Sequence, residues 1–438
     1  MTLIDLSPTV LRSPRLDGLP VAIIGSGPIG LAAAANLVER GIDFVVYEAG
    51  DTAASSLASW GHIRLFSPWR HLIDPAARRL LATTGWTEPD PGVAPYGAQL
   101  VDLYLAPLAA LPEIRSRIRT GSRVQAVTRQ GMDRARSAGR SSVPFQLRLL
   151  HDSGETTEVL ARAVIDASGT YSTPNPIGSN GLDPLGLAEV ADRISPALPD
   201  VLGRDRARFA GRHTVVVGAG HSAANTLIAL AKLAREENGT TVTWLIRNDT
   251  ASRVSAIGDD ELPGRASLAD RMRRLIDSGA IGVVDGFEIE GVARTPGGVA
   301  IAGSRRGAPA SVDADVIVSA TGFRPDLGML REIRLDLDDI VEAPRRLAPM
   351  IDPNVHSCGT VEPHGFAELQ QPEPNFFIAG MKSYGRAPTF LLATGYEQVR
   401  SIVAWLDGDH AGASAVKLVL PATGVCSAGD AGSQSCCS

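Results

Sequence analysis

Cysteine is scarce in this chain of 438 residues: four occur, none before Cys358, and three lie from Cys426 onward in the stretch GVCSAGDAGSQSCCS. So sparse a supply excludes a disulfide-stapled scaffold and fits a reducing compartment. Aromatic residues are few, at 5%. No apolar run approaches the roughly 20 residues of a membrane-spanning helix, and the opening MTLIDLSPTVLRSP lacks the basic-then-apolar pattern of a secretory signal. Positive charge is in deficit, 42 Lys and Arg against 48 Asp and Glu for a net charge of −6. That balance argues against nucleic acid or an acidic membrane surface as the main partner. The expectation is a cytoplasmic globular chain of two or three domains, with its oligomeric state unreadable.

Glycine, by contrast, is plentiful, and two glycine-rich turns organise the chain: GSGPIG at Gly25–Gly30 and GAGHSA at Gly218–Ala223. The first follows the β-branched run Val21–Ile24, which reads as a buried parallel strand. Gly25 permits a tight turn, Gly27 lets backbone approach a pyrophosphate, and Gly30 lets the helix pack on the strand. Ser26, Pro28 and Ile29 complete the loop. A helix Pro28–Arg40 stops at Gly41, and a second strand Phe44–Tyr47 ends in Glu48. An acid about 20 residues beyond the first glycine is placed for a ribose hydroxyl.

The second copy is built alike, with a strand His213–Val217, with Gly218, Gly220 and Ala223 in the three glycine places, with His221 in the turn, and with a longer helix over Ser222–Glu236. Its second strand, Val242–Ile246, ends in Arg247 rather than an acid. A guanidinium there grips a 2′-phosphate bidentately, where a carboxylate would repel it. The pair of closing residues therefore points to an unphosphorylated adenosine such as that of FAD at the first site and to NADPH at the second.

Between and beyond these units the chain offers further signals. The stretch SWGHIRLFSPWRHL crowds Arg64, Ser67 and Trp69 into one loop, read either as a cover over a ring cofactor or as a hydrophobic plug. An amphipathic helix is expected over Gly97–Leu111, and strands over Val124–Val127, Phe145–Leu150 and Val159–Ile165, with a mobile hairpin loop at Arg129–Ser142. Two short strands run into small residues, Ala163–Ile165 into DASGTYSTPNP and Asp315–Val318 into SATGFRPDL, where Thr321 and Gly322 allow close passage by a nucleotide. Asn175–Asp200, rich in Pro and Gly, reads as a connection, Glu261–Asp277 as a helix and Gly282–Ile301 as a pair of hairpin strands. After a strand Phe376–Ala379 comes a polar loop with Lys382 and Tyr384, then a helix beginning near Ala387–Pro388.

As a set, GSGPIG with Glu48, DASGTYSTPNP, GAGHSA with Arg247 and SATGFRPD resemble the two-domain flavoproteins that include flavin-containing monooxygenases, N-hydroxylating monooxygenases and, more distantly, thioredoxin reductases. The resemblance implies an α/β fold of two Rossmann-like domains, the NADPH domain inserted in the FAD domain. The boundaries follow as 1–174 and 326–410 for FAD, 175–325 for NADPH, and 411–438 as a cysteine-containing tail. It further implies NADPH as hydride donor and molecular oxygen as partner, with a flavin C4a-(hydro)peroxide oxygenating a small soft nucleophile. Arg64, Ser67, Trp69, Lys382 and Tyr384 are the candidates for the flavin pocket.

Departures from the family pattern are equally visible. The FxGxxxH fingerprint before the second turn has its start in Phe209 and Gly211, but position 215 is Val, and Phe66 stands where flavin-containing monooxygenases carry an asparagine. A CxxC dithiol is absent, and Met381 replaces the acid that many disulfide reductases place there. Cys426, Cys436 and Cys437 resemble the terminal thiols of mercuric reductase, which suggests a thiophilic ligand such as arsenite or mercury and a setting in arsenic resistance. Two alternatives thus stand beside the monooxygenase: a reductase whose tail presents a metal or metalloid, and a slow flavin redox sensor.

Overall fold

Val21–Ile24, buried throughout, forms strand β1 of a parallel sheet, because a run of β-branched and apolar residues satisfies a strand covered on both faces. The computed structural model describes residues 13–248, 263–352, 363–388 and 390–418. Strands β2 (Phe44–Tyr47), β3 (Ile118–Arg119), β7 (Ala163–Asp166) and β16 (Phe376–Ile378) join β1 in the order β16-β7-β1-β2-β3, all parallel. Between β3 and β7 the chain makes an antiparallel meander, β4 (Ser122–Arg129), β5 (Phe145–His151) and β6 (Thr156–Ala161).

The same plan recurs in a second unit. Strands β8 (Ile194–Ser195), β9 (His213–Val217), β10 (Thr241–Leu245), β11 (Gly282–Val284) and β15 (Val316–Ser319) form a parallel sheet in the order β11-β10-β9-β15-β8. A meander of β12 (Phe287–Thr295), β13 (Gly298–Arg305) and β14 (Ala308–Ala314) precedes β15 just as β4–β6 precede β7. The first unit takes the described residues through Gly61, then Ser67–Ser172 and those from Pro325 on; the second takes Thr173–Arg324 together with His62–Phe66.

Several expected elements are corrected. The single strand over Val159–Ile165 is two strands of different sheets, broken at Arg162, whose N–H donates to Pro20. The hairpin over Gly282–Ile301 is instead the parallel β11 followed by β12 and β13, since Gly286, at a φ of +58°, turns the chain out of the sheet. The helix over Gly97–Leu111 ends at Ala109 and carries a π-helical turn at Val101–Leu105. Pro107 has no N–H to offer the Leu103 carbonyl, and the Trp86 indole N–H takes it at 2.7 Å. Arg129–Ser142 is not a loose loop. Arg129 and Arg140 each donate from Nε to one oxygen of Glu373 at 2.8 Å, all three side chains being buried, and the Arg129 guanidinium lies 3.6 Å from the centre of the Phe145 ring.

Helices close the sheets. Pro28–Glu39 buries Ala32–Ala35 completely and packs against Leu392–Asp407. The latter begins later than the expected Ala387–Pro388: the Arg386 N–H donates to the Val341 carbonyl at 2.7 Å and the Ala387 N–H to the Tyr384 carbonyl at 2.9 Å, so both are spent on a turn ahead of the helix. Four helices meet at Asp74, the N-cap of Pro75–Ala82: its carboxylate accepts from the Ala77 N–H at 2.9 Å and from Asn36 at 3.4 Å. Its own N–H donates to the Tyr104 hydroxyl at 3.0 Å, and the Tyr396 hydroxyl donates to Leu72 at 2.8 Å. Burial pushes the Asp74 carboxyl up to about 6 and raises both tyrosines. Among the described residues no helix is long and apolar enough to cross a membrane.

Two candidate dinucleotide-binding sites

In each parallel sheet the chain leaves the first strand in one direction and returns on its other side, so the crevice beyond the carboxyl ends of β1 and β7, and of β9 and β15, is the switch point where open α/β sheets bind ligands. At the first, Gly25 has a φ of +94°, and a Cβ there would lie 2.9 Å from the Ala167 carbonyl oxygen. A Cβ on Gly30 would meet the Gly25 oxygen at 1.9 Å, whereas one on Gly27 would meet nothing within 4 Å. Gly27 thus faces open space at the N-terminus of Pro28–Glu39, which has no side-chain cap. Uncapped amides and a positive dipole end suit an anion.

Glu48 is buried and fully engaged. One oxygen accepts from the N–H and hydroxyl of Ser26, both at 2.8 Å, and the other from the Gly50 N–H at 2.8 Å and the Ser55 hydroxyl at 3.2 Å. These four bonds fill the carboxylate's acceptor positions. The acid therefore orders the loop itself, and a ribose hydroxyl would take the place of a serine hydroxyl.

The second site repeats this geometry. Gly218, with a φ of +123°, would place a Cβ 2.1 Å from the Ala320 oxygen, and Gly220 faces open space at the uncapped start of His221–Glu236. Ala223 fills the third place, fully buried, so this helix stands far enough off to hold a methyl group. Ser222 lies in the first turn and its carbonyl accepts from the Thr226 hydroxyl at 2.9 Å. Arg247 is exposed just past β10 and donates to the Ser179 carbonyl at 2.9 Å. The Thr321 hydroxyl donates to the Asn175 carbonyl at 2.8 Å, and Gly322, at +87°, pairs with the Asn175 N–H at 2.9 Å.

The proposed flavin-pocket residues divide. Arg64 is exposed and belongs with Phe66 to the second unit, where Phe66 packs on His221 with ring centres 5.1 Å apart. Half-buried Ser67 and buried Trp69 belong to the first. Lys382 is buried, its ammonium 2.6 Å from Asp166 Oδ2 and 3.1 Å from the Ser168 hydroxyl. Tyr384 turns into the core, edge-on to Phe390 at 5.0 Å, and burial raises its pKa against the opposing effect of a hydrogen bond with Thr394. Sequence reasoning singled out neither Asp166 nor Ser168, although both stand in the DASG stretch. The expected thiol ligands Cys426, Cys436 and Cys437, with Cys358, lie outside the described residues. Among the described residues no cluster of three or more His, Cys, Asp or Glu is placed to hold a metal.

Residues 151–357 match the pyridine nucleotide-disulphide oxidoreductase family, and residues 23–83 match the NAD(P)-binding Rossmann-like domain. No curated protein sequence matches the chain. Among solved structures it is similar to a bacillithiol disulfide reductase from Bacillus cereus, at 18% identity over 90% of this chain and 99% of that one with a TM-score of 0.64. It is also similar to the FAD-bound cadaverine monooxygenase of Erwinia amylovora, at 14% identity, 94% and 99% coverage and a TM-score of 0.63. A flavin-containing monooxygenase from Stenotrophomonas maltophilia matches at 22% identity, 89% and 98% coverage and a TM-score of 0.55. The chain thus has the fold of the flavoprotein oxidoreductases built on two dinucleotide-binding domains, with a pyridine nucleotide-disulphide oxidoreductase match over its middle part and an NAD(P)-binding Rossmann-like match near its start.

Proposed function

We propose that the first site holds FAD, that the second holds NADPH, and that the chain is a monooxygenase of small soft nucleophiles. One observation carries the cofactor reading: two sites of the same geometry, each with an open glycine before an uncapped helix, differ in the residue that closes the unit, Glu48 in one and Arg247 in the other. In this reading Gly27 and the amides of Pro28–Glu39 receive the flavin pyrophosphate, Ser26 and Glu48 shape the ribose pocket, and Gly220 and Arg247 hold the pyrophosphate and 2′-phosphate of NADPH. The chemistry a bound flavin supplies is transfer of two electrons from NADPH to dioxygen, with one oxygen atom delivered to a nitrogen or sulfur. Oxygen is favoured over a CxxC dithiol as acceptor because the sequence contains no CxxC motif.

The test is oxygen bookkeeping on the FAD-loaded protein. With NADPH, isotopically labelled dioxygen and a panel of primary amines and thioethers, one labelled atom should enter the product while hydrogen peroxide release falls in proportion. Quantitative peroxide with every nucleophile, or equally fast anaerobic NADPH oxidation by a low-molecular-weight disulfide, overturns the monooxygenase reading.

A further inference from the structure

At the carboxyl end of β7 lies a buried ion pair that dinucleotide binding alone does not require. Asp166 and Lys382 have no exposed side-chain surface, with Nζ 2.6 Å from Oδ2. The other carboxylate oxygen accepts from the Ser168 N–H at 3.1 Å and its hydroxyl at 2.6 Å, and that hydroxyl in turn accepts from Lys382 at 3.1 Å. Removing two charges from water costs several kcal/mol per ion, and apolar replacements of such pairs are often neutral or stabilising. Stability therefore does not account for it.

Its position suggests what does. Asp166 stands opposite Ile24 on β1 and Ile378 on β16, and the next two residues, Ala167 and Ser168, lie against Gly25. Lys382 sits in the turn Gly380–Tyr384, whose first residue lies against Ile29 in the opening turn of Pro28–Glu39. Both charges thus belong to the immediate frame of the first glycine turn. The second site supplies an internal comparison: the position that pairs with Val217 just before Gly218, as Asp166 pairs with Ile24 just before Gly25, is Ser319. The charge pair is a feature of the first site and not of the shared fold.

We propose that Lys382 and Asp166 are an electrostatic positioning pair for the flavin, resting on the assignment of FAD to the first site. Two-electron reduction adds negative charge to a flavin. Lys382 favours that charge and Asp166 opposes it, in a setting where water screens neither. The pair as built is neutral and leaves the potential between the two extremes.

Spectroelectrochemical titration of the intact FAD-loaded chain tests this with a sign. Lys382→Gln leaves Asp166 unbalanced and should lower the midpoint potential; Asp166→Asn leaves Lys382 unbalanced and should raise it. Each change is expected to reach tenfold in the reduced-to-oxidised ratio at fixed potential, about 30 mV for a two-electron couple. The double variant and Lys382→Arg should both return toward wild type. A merely structural pair moves both single variants the same way or not at all, and that result, with FAD bound, overturns the proposal. If Lys382→Gln fails to fold, the upward shift of Asp166→Asn and the return in the double variant decide it alone. Wild-type protein that takes up no FAD overturns the cofactor assignment and this inference together, and its own binding titration tells that failure from the first.

Discussion

Asp74 holds its proton more tightly in the folded chain than in the unfolded one, since burial lifts its carboxyl from 3.8 to about 6. The native state therefore binds more protons between these values. The stability so gained is fully present below the unfolded pKa and is lost as pH rises through about 6, a change on the order of 3 kcal/mol. Asn36, Tyr104, Tyr396 and Arg79 surround the group, and only Arg79 brings positive charge. Asn caps a helix as well as Asp does, so Asp74→Asn should match wild type near pH 3, below the unfolded pKa, and exceed it near pH 7.5 in urea unfolding. An equal pH slope in both proteins would place the titration elsewhere. Arg247 carries a second prediction at this scale: Arg247→Glu should raise the KM for NADPH relative to NADH at least tenfold, read from steady-state kinetics with each coenzyme. Glu48 and Arg247 were legible in the sequence because each closes a local strand-turn-helix-strand unit. Lys382 pairs with a residue 216 positions away, and Glu373 with arginines 244 and 233 positions away. Such partners are fixed by sheet order, which no local spacing records.

Elements were legible where one local rule governs them and misread where a tertiary partner intervenes. β1, β2, β9 and the helices after the two glycine turns stand where periodicity puts them. The π-helical turn depends on Trp86 capturing a carbonyl freed by Pro107, and the strand break at Arg162 depends on Pro20 from another strand's approach. The glycine turns allow the two demands on an element, folding and binding, to be separated. Gly25→Ala, strained by its positive φ and its approach to Ala167, should lower thermal stability. Gly27→Ala meets no protein atom, at a φ of −72° that alanine accepts, and should leave the melting temperature within about 2 °C while weakening FAD binding tenfold or more. Circular dichroism melts and FAD fluorescence titration on the same two variants check both halves.

At the level of the whole molecule the duplication runs deeper than the two glycine motifs. Each unit has a parallel sheet and an antiparallel meander, and in each the strand after the meander returns beside the first strand. The sequence shows only the glycine turns as a repeat, because meander strands need alternation and not particular residues. Each unit's core is its own, so each ligand should stabilise its own unit. In hydrogen exchange, NADP+ at a hundred times its Kd should protect amides of β9, β10 and β15 by up to about 2.7 kcal/mol, while FAD does the same for β1, β2 and β7. Protection by NADP+ confined to the first set would exchange the two assignments.

Where Thr173–Arg324 begins and ends, its two ends run side by side: the Arg324 N–H donates to Thr173 at 3.0 Å, Asn175 pairs with Gly322, and Pro174 faces Phe323. To the surrounding chain the whole insertion behaves as a closed hairpin. The entropy of joining Ser172 to Pro325 is set by that short ribbon rather than by the length it encloses, a dependence that is only logarithmic in any case. An exchange of the inserted unit would therefore have to re-form that two-stranded seam and also carry His62–Phe66, which belong to the same unit but lie outside the seam.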